Sequence, residues 1–132
     1  MSQTTIIINI RELRFECALY NTAAARNLVK VLPQELRLHR WGDEYFGELA
    51  NLIRHDGDAQ RDVYEVGEVA LWPDGNALCI FFGPTPASRN REPRMSSNGV
   101  PLGKMIAGDL SELKQLMDVI SNVSVSLKAQ QA

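Results

Sequence analysis

VGEVALWPDGNALCIFF, residues 66–82, is the stretch that decides the fold. Two apolar runs, Val66 to Trp72 and Ala77 to Phe82, flank Pro73-Asp74-Gly75-Asn76, a tetrapeptide whose residue types favour a tight reversal. The runs are too short for helices and rich in β-formers, so they predict an antiparallel hairpin. The second run stops at Gly83-Pro84-Thr85-Pro86. Phe81 and Phe82 are consecutive and must face opposite sides of a strand. One therefore fills a core, while the other lies under cover or lines a groove. Trp72 and both phenylalanines read most simply as core residues.

Working towards the N-terminus, Tyr45 to Leu52 reads as a strand returning from the turn Gly42-Asp43. Leu36 and Leu38 alternate with Arg37 and His39 in the strand before it, which continues through Trp41. Residues 22–32, TAAARNLVKVL, predict a short amphipathic helix. Asn21 or Thr22 is placed to accept its free N–H groups, and Pro33 to stop it. Ile6, Ile7, Ile8 and Ile10, then Phe15, Cys17 and Leu19, make a first hairpin through Arg11 to Leu13. Arg54 to Asp62 is polar, with a turn at Asp56-Gly57-Asp58, and is expected to be exposed.

Towards the C-terminus, residues 84–101, PTPASRNREPRMSSNGVP, carry four prolines and three arginines without periodicity and predict a long irregular connection. Leu102 to Ile106 resumes a strand. Asp109 or Ser111 is placed to cap a second helix carrying Leu113, Leu116, Met117 and Ile120 at helical spacing. Val123, Val125 and Leu127 alternate with polar residues in a last half-buried strand. About eight strands and two helices follow one another without regular strand–helix alternation. The fold class is thus all-β: a single domain over residues 1–132, closed into an eight-stranded barrel that hides its edges, with two short helices covering the ends.

A 132-residue chain suits one hydrophobic core. Its formal charge of −2, with cations scattered among anions, offers no basic face for phosphates, so nucleic acid is not an expected partner. No apolar run is long enough to span a bilayer, and the Met-Ser-Gln-Thr-Thr start lacks the features of a secretory leader. A soluble cytoplasmic protein without a membrane partner is expected. Cys17 and Cys79 sit among apolar neighbours and read as buried reduced thiols. His39 and His55 with Asp56 and Asp58 fit no compact metal motif, and no glycine-rich phosphate loop is present, so no metal and no cofactor is expected.

HRWGDEYF (39–46), VGEVALWPDGNALCIFFGPTP (66–86) and GVPLGKMIAGDLSELK (99–114) together resemble the cyclophilin-like domain family of small prokaryotic proteins. The resemblance covers most of the chain and implies a barrel of eight strands with two capping helices. It implies no settled activity. Leu38-His39-Arg40 is more distantly similar to the Phe-His-Arg strand of the true cyclophilins, which isomerise X–Pro bonds. That similarity gives Arg40 a catalytic role at the substrate amide. Ile80-Phe81-Phe82 resembles the strand carrying their pocket phenylalanine, and Leu102-Gly103-Lys104-Met105 their Phe-Gly-Lys-Val strand. Gly99 stands where they place a histidine, and their pocket tryptophan has no counterpart near Arg94 and Met95.

The site expected on these grounds is a groove between the Arg40–Phe46 segment, the Phe82 edge and the 84–101 loop. Its lining is Trp41, Glu44, Phe46, Phe82, Pro84, Thr85 and Asn98, and its occupant a peptide segment or a small molecule. Efficient catalysis is not expected; prolyl isomerisation through Arg40 is the alternative. Arg40 points either into this cleft beside Phe81 or Phe82, or outward from a half-solvated sheet. Alternation puts it opposite His39. Asp43 and Glu44 offer a carboxylate pair for acid–base chemistry, although adjacent residues rarely aim at one atom. Arg89, Arg91 and Arg94 read as an anion-binding or simply solvated cluster.

Overall fold

The computed structural model describes residues 4–129. Its strands are β1 (Thr5–Ile10), β2 (Leu13–Leu19), β3 (Gln34–Arg40), β4 (Glu44–Glu48), β5 (Arg61–Val63), β6 (Glu68–Trp72), β7 (Ala77–Phe81), β8 (Arg94–Ala107) and β9 (Val119–Leu127). The hydrogen-bonded order is β2-β1-β9-β3-β4-β7-β6-β8, and β8 pairs back onto β2. Every pairing is antiparallel. Eight strands therefore close a barrel, and the short β5 lies against β8 outside the ring. Closure demands close backbone approach at Gly103, where a Cβ would meet the Ala18 carbonyl oxygen at 2.4 Å.

Alternation sets the interior. Ile6, Ile8, Ile10, Phe15, Leu36, Leu38, Tyr45, Val69, Leu71, Leu78, Ile80 and Val125 fill the barrel. Each large apolar side chain removed from water contributes about 1.5–3 kcal/mol. The helix α1 (Ala23–Lys30) buries Ala24, Ala25 and Leu28 into the same core, with the Thr22 hydroxyl accepting from the Ala25 N–H. No helix among the described residues is long and apolar enough to cross a membrane. Cys17 and Cys79 are buried free thiols, as expected.

Three expectations are corrected. The second helix is a 3-10 turn, Leu110–Gln115, because Ile120 pairs with Leu38 in β9 and leaves too short a segment for an α-helix. The irregular connection ends at Pro93 rather than 101, since Arg94 to Ala107 is one continuous strand. Pro101 is tolerated there because the β6–β8 register shifts between Val69 and Ala70, beside the missing N–H. Leu127, expected on the buried face of the last strand, is 50% exposed.

What remains of the loop, residues 83–93, is tied to itself. The Glu92 carboxylate accepts from the Arg89 and Asn90 N–H groups, both at 2.9 Å, and from Arg94 Nε at 2.9 Å. The Ser88 hydroxyl donates to the Glu92 carbonyl and the Thr85 hydroxyl to that of Arg94.

Candidate functional site

The outer face of β4, β7, β6 and β8 carries a second apolar cluster, separate from the barrel interior. Tyr64, Ala70, Cys79, Phe81 and Met95 are buried in it, with Phe46 and Trp72 packed at its margin. Phe81 lies flat beneath Tyr64, ring centroids 4.7 Å apart and planes 10° off parallel. Phe82, on the opposite face, stacks on Tyr45 inside the barrel at 5.4 Å. Both phenylalanines are buried, and neither lines the two cavities beside the outer cluster.

The cavity opens beside this outer cluster. Trp41, Glu44, Phe46, Trp72, Met95 and Ser96 line a volume of about 230 Å³. An adjoining hollow of about 420 Å³ shares Phe46 and Trp72 and adds Arg37, His39 and Glu48 among its walls. Trp72 is held in place: its indole N–H donates to the Ser97 hydroxyl at 2.8 Å, and its ring lies against Gly75, where a Cβ would meet it at 2.6 Å. Phe46 sits edge-on to Trp72 at 6.5 Å and beside His39 at 5.7 Å.

Glu44 is 3% exposed, and among the described residues its one side-chain partner is the buried Cys79 thiol. Burial pushes its pKa up from 4.5 to about 7, against a small lowering by that thiol. Glu68 makes the contrast. It is equally buried, at 2% exposure, yet Arg61 grips both its oxygens, at 3.0 and 2.6 Å. Tyr20 Oη and the Glu65 N–H also donate to it, each at 2.8 Å. Desolvation pushes the Glu68 pKa up, but these donors outweigh it and the net shift is downward. One buried carboxylate is internally satisfied; the other is left nearly alone in a hollow lined by aromatic rings.

Arg40 is placed otherwise than the resemblance implied. Its Nε donates to the Gly42 carbonyl at 2.9 Å, Nη1 to those of Lys114 and Leu116 at 3.1 and 3.2 Å, and Nη2 to Asp43 at 3.0 Å. The guanidinium lies over the Phe82 and Tyr45 rings, 5.2 and 5.9 Å from their centroids. Tyr45 Oη donates to the Met117 carbonyl at 2.7 Å, so both side chains tie down the strand-ward end of the 3-10 turn. Arg40 lines neither cavity. His39, on the other side of the strand, does reach the outer hollow.

Of the expected lining, Trp41, Glu44 and Phe46 come together. Phe82, Pro84, Thr85 and Asn98 do not. Phe82 is inside the barrel, and Thr85 is 7% exposed, its hydroxyl donating to the Arg94 carbonyl at the start of β8. Pro84 is exposed and uses its carbonyl to accept from the Asp43 N–H at 2.8 Å. Asn98 is exposed on β8 away from both hollows. Asp43 and Glu44 face opposite sides, so they form no catalytic pair. Asp58 is spent on the N-terminus of α1, accepting from the Ala23 and Ala24 N–H groups at 2.8 Å each. Among the described residues, no three His, Cys, Asp or Glu side chains gather as a metal site.

Trp72, Met95 and Ser96 were missed in the sequence. Trp72 reads there as plain core, and Met95 and Ser96 fall in a segment without visible periodicity. Gly99, the position of the absent histidine, has no space for a side chain. A Cβ would meet Met95 Sδ at 2.4 Å and the Leu71 carbonyl at 2.7 Å.

The model of the family described as Cyclophilin-like matches residues 4–126. No curated protein matches the chain significantly. The solution structure of the hypothetical protein AF2241 from Archaeoglobus fulgidus is similar, with 28% identity over 94% of each chain and a TM-score of 0.78. Closed topology, strand order and family match agree: the chain belongs to the Cyclophilin-like family.

Proposed function

We propose that this protein is a ligand-binding barrel, which takes a small molecule or the side chain of a peptide in the outer cavity over Glu44 and does not isomerise X–Pro bonds through Arg40. The observation that carries the reading is the Glu44 carboxyl, 3% exposed, set in a hollow lined by Trp41, Phe46 and Trp72. A concave apolar surface holding one convergent polar group is the usual form of a small-ligand site. The placement of Arg40 supports the noncatalytic part. Isomerisation faces a barrier of ~18–20 kcal/mol, and lowering it needs a cation free to engage the substrate amide. This guanidinium already donates to three carbonyls and one carboxylate.

The test is NMR exchange spectroscopy on short X–Pro peptides with catalytic amounts of wild-type protein. Cis/trans exchange is expected to stay at its uncatalysed rate. Acceleration by the wild type that disappears in a folded Arg40→Lys variant would overturn the reading in favour of a divergent isomerase.

A further inference from the structure

We infer that the cavity takes an organic cation, a protonated amine or a quaternary ammonium head, set against the Glu44 carboxylate among the rings of Trp41, Phe46 and Trp72. This deepens the ligand-binding reading above and rests on it. Three of the six lining residues are aromatic, and Glu44 is the only charged one. Cations are drawn to aromatic faces, most strongly when both are removed from water. A buried carboxylate without a countercharge carries a desolvation cost that an entering cation offsets.

β7 sets the Cys79 thiol against Glu44, itself held protonated by burial. β6 contributes Trp72, and β8 contributes Met95 and Ser96, none of which ionises near neutrality. The ionisable groups of the adjoining hollow are Arg37, His39 and Glu48. Among the described residues, no Lys, Arg or His lines the cavity itself. Its volume of about 230 Å³ falls below the ~300–1,000 Å³ of drug-sized pockets, which suits a compact head group. The shared wall of Phe46 and Trp72 lets a tail extend into the second hollow.

Proton linkage follows. A cation binds the ionised form of Glu44, so its entry expels the proton that the burial-raised pKa of about 7 keeps partly in place. Affinity rises with pH through 7 and levels off above it.

The probes are choline and its uncharged isostere 3,3-dimethylbutan-1-ol, titrated at pH 6 and pH 8 while the tryptophan fluorescence is followed. Trp41 and Trp72 are the only tryptophans of the chain, and both line the cavity. Choline is expected to bind about ten-fold more tightly at pH 8 than at pH 6, and the isostere to bind weakly and without pH dependence. Glu44→Gln is expected to abolish the pH dependence and to weaken the charge preference to what the aromatic rings alone supply. If that variant does not fold, the wild-type pH comparison still decides. Equal binding of the two probes, or binding of neutral fragments alone, overturns the cation assignment and leaves the ligand cavity standing. If neither probe nor any member of a neutral fragment set perturbs the tryptophans, both readings fall.

Discussion

Glu44 and Glu68 show at the residue scale how partners rather than burial decide what a carboxylate does. Both are almost fully buried, but only Glu68 has a guanidinium. Because the Glu44 pKa is raised in the folded state, its protonated form favours folding. That contribution is complete below about pH 4.5 and is lost as pH rises through about 7. Gln cannot ionise. Glu44→Gln is therefore expected to match the wild type near pH 4.5 and to exceed its stability by up to about 3 kcal/mol at pH 8. Urea denaturation at the two pH values measures this, and a stability difference that does not grow with pH would contradict the burial argument. Glu44, expected from the sequence in a groove wall, lies in the wall of the outer cavity. The sequence put His39 and Arg40 on opposite faces but left open whether Arg40 turns into a cleft or outward to solvent. The rings of Tyr45 and Phe82 supply that answer, and the Phe82 ring comes from a part of the chain remote in sequence.

At the scale of elements, strands with an apolar run or apolar alternation were legible and those with neither were not. The hairpin of β6 and β7 appears with its 3-10 turn at Pro73–Gly75. The first half of β8 carries Met95, Ser97 and Gly99 on one face, and two small residues of three hide the period. The helix α1 was readable from Thr22 and Pro33, but its second cap was not. Asp58 arrives from a polar loop that looks expendable and supplies a charge to the positive helix end. Asp58→Ala is expected to cost about 1–2 kcal/mol, and Asp58→Asn to recover part of it. Equilibrium unfolding checks the series, and an unchanged midpoint in the alanine variant would show that the Thr22 hydroxyl alone holds the helix end.

At the scale of the molecule, barrel closure was legible because many short strands without crossover helices leave few other ways to cover their edges. The cavity was legible only in its Trp41, Glu44 and Phe46 wall, since its walls come from the turn after β3 and from β4, β6 and β8. Those segments are neighbours only once the barrel has closed. The inner face of the sheet is spent on the core, and Arg40, half-buried at the end of β3, ties that strand to the 3-10 turn. On the function proposed above, the outer face is the one used for binding. The most direct measurement of that claim is a heteronuclear NMR titration following the two indole N–H signals and the Met95 methyl while small molecules are added. The account predicts that a binder moves all three reporters together, with Trp41, Trp72 and Met95 responding as one site. A binder that leaves them still while shifting the Arg40 guanidinium or the 83–93 loop would contradict it.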